Sequence, residues 1–292
     1  MALSAKTRRS RARQWRRGGG VECEAFLHVR VLGSELPPIV LLHGLTASNR
    51  SWSATFDSLA DDAVVVVPDL LGFGDSPRPG SGYGPDAHAD AVVACLESLA
   101  LRGPAIIAGH SMGALIALRL ATRHPELVAA VVAIAPPIAR DSTDARRRIA
   151  SLGLLARIFA LDSPAARSVC ALMCRYRPAA ARLASWLRPD LPSELARASV
   201  QHSWASYSQS LSEVILAAPG NADLAASRVP VRMLAGDRDD VIDLPWLQTL
   251  ADELPHVLLE RVAGGRHDLH LTDPTRCIAA IRAARALITP TT

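Results

Sequence analysis

The chain has 292 residues, 49% hydrophobic and 21% charged. That is enough apolar material for one large domain with a buried core, and too much for an intrinsically disordered chain. Seven of its 32 basic residues (Lys6, Arg8, Arg9, Arg11, Arg13, Arg16 and Arg17) crowd into the first 17 positions without an acid, so the remainder carries 25 basic against 28 acidic residues. A mildly acidic body excludes nucleic acid as its main partner, and five scattered cysteines exclude a disulfide scaffold.

The pair Arg8-Arg9 has the look of an export signal, but Gly18-Gly19-Gly20 and Val21-Glu22-Cys23-Glu24 follow where an apolar segment is required. Residues 1–20 are therefore expected to form a disordered basic extension, and the protein is read as cytoplasmic. Nothing downstream offers ~18 uninterrupted apolar residues, so no membrane span is expected. Strand-like runs then follow at Ala25–Leu32, Ile39–Leu42, Ala63–Val67, Ala105–Ala108, Val128–Ile134, Val229–Leu234 and Val257–Val262. As runs rather than strict alternations, they suit strands buried on both faces. Helical patterns lie between them at Pro85–Ala100, Met112–Arg123, Leu244–Leu254 and Pro274–Ala286. This alternation predicts an α/β fold with a mostly parallel sheet, whose ligand sites gather at the C-terminal ends of the strands.

Residues 138–220 break the alternation. They are rich in Ala, Leu, Arg and Ser, punctuated by Pro164, Pro178, Pro189 and Pro192, and contain no strand run. They read as a helical cap inserted into a core of residues 21–137 and 221–292. Cys170 and Cys174, with three residues between them and no histidine at ligand spacing, read as one face of a helix rather than half a zinc site.

The chemistry-bearing motifs sit at strand ends. Gly109-His110-Ser111-Met112-Gly113 joins a buried strand to a helix, a turn so sharp that small residues must flank the serine. Ser111 is the candidate nucleophile. A serine hydroxyl needs a base, usually a histidine oriented by a carboxylate. His267 follows the last strand and is the candidate base, with His270 as the substitute. Three carboxylates follow the strand Val229–Leu234, of which Asp239 lies mid-loop. Asp237 and Asp240 are its alternatives, and Asp141 a remote one. Upstream, His43-Gly44-Leu45 follows the strand Ile39–Leu42, and the amides of Leu45 and Met112 are candidate donors to a developing oxyanion.

Together these residues resemble the α/β-hydrolase fold family. The likeness rests on His43-Gly44, Asp69-Leu70-Leu71-Gly72-Phe73-Gly74-Asp75-Ser76, Gly109–Gly113, Gly236–Asp239, Gly265-Arg266-His267 and Leu271-Thr272-Asp273-Pro274, and spans about residues 24–288. The resemblance implies an eight-stranded, mostly parallel sheet with a helical cap. It also implies Ser111, Asp239 and His267 as a triad, and Leu45 and Met112 as the oxyanion hole. Arg266 departs from the family, which often has glycine there. A serine at the elbow argues against the dehalogenase and epoxide hydrolase branches, which use aspartate. The expected function is a serine hydrolase cleaving a carboxylic ester of a small or medium apolar acyl or aryl group, with no metal or organic cofactor. The alternatives are a C–C bond hydrolase, a thioesterase or a perhydrolase, or a non-catalytic binding protein of the same fold. Phe159, Met173, Trp186, Trp204 and Tyr207 are the large apolar residues of the cap that are candidates to line a substrate pocket. The sequence does not speak to oligomeric state.

Overall fold

The continuous apolar runs become the strands of a single sheet. The computed structural model describes residues 21–22, 27–101, 103–152, 164–187, 192–217 and 219–286. The basic extension, Phe159 and Cys23 lie outside the described residues. Among the described residues there are seven full strands: β2 (His28–Leu32), β3 (Ile39–Leu42), β4 (Val65–Pro68), β5 (Ala105–His110), β6 (Val128–Ile134), β7 (Val231–Gly236) and β8 (Val257–Val262). A two-residue strand, β1 (Val21–Glu22), is added at one edge, giving the order β1-β2-β4-β3-β5-β6-β7-β8. Strands β4 to β8 and β3 run parallel; only β1–β2 and β2–β4 are antiparallel.

Two apolar layers cover the sheet, which explains why the runs look unbroken. Along β3, Val40 and Leu42 join one core while Ile39 and Leu41 join the other. Along β5, Ala105 and Ile107 face the first, Ile106 and Ala108 the second. The twofold period of a strand is present but invisible in hydropathy, because both faces are buried. The first layer is built on α1 (Pro85–Ser98), α2 (Met112–Arg123) and α9 (Leu244–Glu253). The second rests on α10 (Pro274–Arg285) and a 3-10 segment at Ala54–Asp61 that carries Phe56 and Leu59.

Between β6 and β7 every described element is helical: α3 (Ser142–Ser151), α4 (Pro164–Arg175), α5 (Arg177–Leu187), α6 (Ser193–Ala198), α7 (Trp204–Gln209) and α8 (Gly220–Ala226). Helix α7 runs directly into a π-helical stretch at Ser210–Leu216. The insertion is fastened to the core by polar contacts. Arg140 and Arg148 both reach Asp243, which caps α9. Gln209 accepts hydrogen bonds from the Gly82 and Tyr83 amides. Phe73 and His202 pair across a single antiparallel bridge. Among the described residues no helix is long and apolar enough to cross a membrane.

Candidate active site

The strand register brings the motif loops to one edge. Leu42 of β3 lies beside Gly109 of β5, and Gly236 of β7 beside Val262 of β8. The loops leaving β7 and β8 are then clipped together: the Asp237 amide donates to Val262 O at 3.1 Å, and the Arg238 amide to Gly265 O at 2.9 Å. A side chain three residues past β7 and one five residues past β8 are thereby held face to face.

Ser111 sits between β5 and α2 with φ 52° and ψ −119°, a conformation that costs a non-glycine residue energy and persists only where the surroundings enforce it. They do so through packing. A Cβ on Gly109 would run into the Gly113 carbonyl, and one on Gly113 into the carbonyls of Leu42 and His43. The turn therefore requires glycine at both positions. The Ser111 amide is anchored by Ile134 O at 2.9 Å.

Ser111, His267 and Asp239 are brought together. Nδ1 of His267 donates to Asp239 Oδ2 at 2.9 Å, which leaves Nε2 as the acceptor for the Ser111 hydroxyl, also at 2.9 Å. The other Asp239 oxygen accepts the Val241 amide at 2.8 Å, so the carboxylate is held at both ends. Ser111 and Asp239 are buried, while 28% of the His267 side chain stays open to solvent.

The alternative residues are occupied elsewhere. Asp237 accepts the Gly264 amide at 2.7 Å and so belongs to the clip between loops. Asp240 is exposed. Asp141 caps α3 by accepting the amides of Thr143 and Asp144. His270 is buried with its ring 3.9 Å from that of His110 and 5.4 Å from Trp52, and burial pushes its pKa down to about 3.

Two further histidines frame the site as neutral groups. His43 donates from Nδ1 to Gly44 O at 2.8 Å and accepts the Leu70 amide at Nε2 at 2.9 Å. Fully buried, it has a pKa lowered by desolvation. His110 donates from Nε2 to the His267 carbonyl at 2.8 Å. Its pKa is held well below the usual range, first by burial and then by the neighbouring histidines. Sequence reading placed His110 in the turn but missed this tie, because its partner lies 157 positions away.

Gly44 packs against this group: a Cβ there would meet His110 Nδ1 at 3.0 Å and Ser111 Cβ at 3.3 Å. The loop carrying Leu45 therefore runs directly past the serine. Among the described residues neither the Leu45 nor the Met112 amide has a hydrogen-bond partner, and Met112 opens α2, where the helix dipole favours negative charge.

Of the cap candidates, Tyr207 is half-buried against Trp204 and His202, at ring separations of 5.8 and 5.6 Å, and burial raises its pKa to about 12. Met173 is half-buried on α4. Trp186 does not join them. It stands 76% exposed on α5. Phe159 lies outside the described residues.

Among the described residues one group has the composition of a metal site: His28, Asp69 and Asp75, with ligand atoms within 4.8 Å of one another. The Asp69 carboxylate is already engaged there. It accepts the Asn49 amide at 2.6 Å, the Asp75 amide at 2.9 Å and His28 Nδ1 at 2.9 Å, which is the bonding of a pinned loop.

A model of the alpha/beta hydrolase family matches residues 39–280. The chain is 26% identical over 252 residues to a probable lysophospholipase, BODYGUARD 4 of Arabidopsis thaliana, covering 79% of this chain and 59% of that protein. It is 36% identical over 121 residues to 2-(acetamidomethylene)succinate hydrolase of Mesorhizobium japonicum, covering 41% of this chain and 43% of that one. The chain thus spans about half the length of the curated relatives it matches. The crystal structure of E-2-(acetamidomethylene)succinate hydrolase superposes with a TM-score of 0.71 over 92% of this chain and 98% of that chain, at 21% identity, a likeness of fold.

Proposed function

The chain belongs to the alpha/beta hydrolase family, a hydrolase enzyme family, and we propose that it is a serine hydrolase acting on a carboxylic ester of a small or medium apolar acyl or aryl group. The observation that carries this reading is the unbroken relay from Asp239 through His267 to Ser111, with 2.9 Å at each step.

In the mechanism, Ser111 Oγ attacks the acyl carbon as His267 Nε2 takes its proton. Asp239, accepting from Nδ1, keeps the ring in the tautomer whose Nε2 is basic and stabilises the imidazolium that results. The Leu45 and Met112 amides receive the developing oxyanion, an interaction typically worth ~3 kcal/mol of barrier per donor. His267 returns the proton to the departing alcohol, leaving Ser111 acylated. Water then enters, gives its proton to His267 and attacks the acyl carbon; the acid departs and Ser111 regains its proton. No step in this sequence calls for a metal or an organic cofactor.

Relatives named for lysophospholipid and for a substituted succinate agree on hydrolysis and differ in substrate. This supports the reaction type, and in our reading the substrate is chosen by the insertion acting as a cap, with Tyr207, Trp204 and Met173 as its pocket residues. A pure binder has no need of a hydroxyl, an imidazole and a carboxylate in one line, which weighs against the non-catalytic alternative. The test is hydrolysis of p-nitrophenyl esters of graded acyl length. Turnover that vanishes in Ser111→Ala supports the reading. A folded protein inactive on every ester contradicts it.

A further inference from the structure

Helices α4 and α5 have an outer face that the rest of the molecule leaves uncovered. Eight large apolar side chains stand exposed among the described residues, and five come from this short stretch: Val169, Leu172, Tyr176, Leu183 and Trp186. Their spacing is not random. Positions 169 and 172 fall on one side of α4, Tyr176 is the single residue between the two helices, and 183 and 186 fall on one side of α5. Ala166 and Cys170, elsewhere around α4, are buried. Helix α4 is therefore apolar both toward the protein and toward solvent, and α5 presents Leu183 and Trp186 to solvent.

The charge on the same stretch has a single sign. Residues 164–187 contain four arginines, at 167, 175, 177 and 182, and no aspartate or glutamate. Arg175 and Arg182 stand exposed, and the Arg175 guanidinium lies 5.8 Å from the Tyr176 ring. An exposed tryptophan and leucines bordered by arginines form the pattern of a segment lying in the plane of a lipid headgroup layer. There apolar side chains enter the acyl boundary, and long cationic side chains reach back to phosphate.

We propose that the outer face of α4 and α5 docks on an anionic phospholipid bilayer, with Leu172, Leu183 and Trp186 inserted and Arg175 and Arg182 on lipid phosphates. A second copy of the chain fits this face poorly, because a twofold contact would set the arginines of one copy against those of the other with no carboxylate between them. Nucleic acid would meet the arginines but leave the apolar stripe against its backbone.

The test uses the full chain and flotation with vesicles of phosphatidylcholine alone or of phosphatidylcholine with phosphatidylglycerol. The basic residues 1–17 also attract anionic lipid, so they are separated by a chain in which the arginines of that segment are glutamine. The proposal predicts binding to the anionic vesicles over the neutral ones. It also predicts a blue shift of Trp186 emission, read as the difference between a Trp15→Phe chain and a Trp15→Phe/Trp186→Phe chain because Trp52, Trp204 and Trp246 also emit, that persists when the extension is neutralised. Leu172→Ser/Leu183→Ser/Trp186→Ser lowers partitioning by more than about tenfold, and Arg175→Gln/Arg182→Gln by about twentyfold, with thermal stability retained because these side chains are exposed. The proposal is overturned by no vesicle binding, or by equal binding to neutral vesicles. It is also overturned by binding that follows the extension and ignores the helix substitutions, or by reversible self-association or capture of an acidic protein through this face without lipid binding.

Discussion

His110 and His267 are joined through main chain as well as ring. Nε2 of His110 lies 2.8 Å from the His267 carbonyl oxygen, and since a carbonyl only accepts, that nitrogen carries the proton. The residue before the nucleophile thus holds the backbone of the residue that faces it. The His110 ring is in turn packed against that of His270, 3.9 Å away.

Replacing His110 by leucine removes the donor while keeping an apolar side chain of moderate size. The His267 loop is then free to shift by a fraction of an ångström. Ester hydrolysis is expected to lose roughly tenfold to a hundredfold in kcat with little change in KM, since near-attack geometry is lost and substrate contacts are not. Steady-state kinetics of His110→Leu measure this split.

The elbow glycine makes a structural prediction. A Cβ at Gly113 meets the Leu42 and His43 carbonyls, which belong to a central strand and its loop and cannot yield cheaply. Gly113→Ala is expected to cost about 1–3 kcal/mol and to lower Tm by roughly 2–10 °C. Thermal unfolding read by circular dichroism gives the value.

Asp243 ties the insertion to the loop that carries Asp239. It is buried, caps α9 through the Trp246 amide, and meets both Arg140 and Arg148; Arg148 also donates to Ile242 O at 3.1 Å. Asp243→Ala removes the α9 cap and one partner from each of two arginines, of which Arg148 keeps Asp144 and Arg140 is half open to solvent, and is expected to destabilise by about 1–2 kcal/mol. Hydrogen exchange should show faster exchange for amides 142–151 while the β5 amides stay protected.

Much of this was legible in sequence. Strands β3, β6 and β8 and helix α2 have the boundaries expected of them, because glycine and proline punctuate them and, for β3 and β6, both sheet faces are apolar. Ser111, Asp239 and His267 could be singled out because each follows a strand end. What was not legible depends on distant pairing. The Arg148–Asp243 contact and the His110–His267 tie join residues far apart in the chain and leave no local pattern. The 3-10 segment Ala54–Asp61 also escaped, since a short segment with two buried apolar side chains, Phe56 and Leu59, leaves too brief a pattern. A large apolar side chain such as that of Trp186 does not announce in sequence which face of its helix is covered.

Burial of neutral histidines sets the pH dependence of stability. Desolvation lowers His270 and His88 to about 3 and His202 to about 4, each below the ordinary value near 6.5. Between those values the unfolded chain binds protons that the folded one refuses, so stability rises with pH there. The contribution is complete above pH ~6.5 and is lost as pH falls toward 4. Tm is expected to drop steeply over that window. His270→Phe, which keeps a ring against Trp52 and His110, should flatten the slope, as read from Tm measured at successive pH values.

The most direct test of the account is covalent labelling by a fluorophosphonate, followed by peptide mass spectrometry. An activated Ser111 predicts a single adduct on the peptide that contains it, and His267→Ala should slow its formation by more than about a thousandfold. Folded protein that stays unlabelled, or labelling at Ser111 that proceeds equally fast without the imidazole, would contradict the relay.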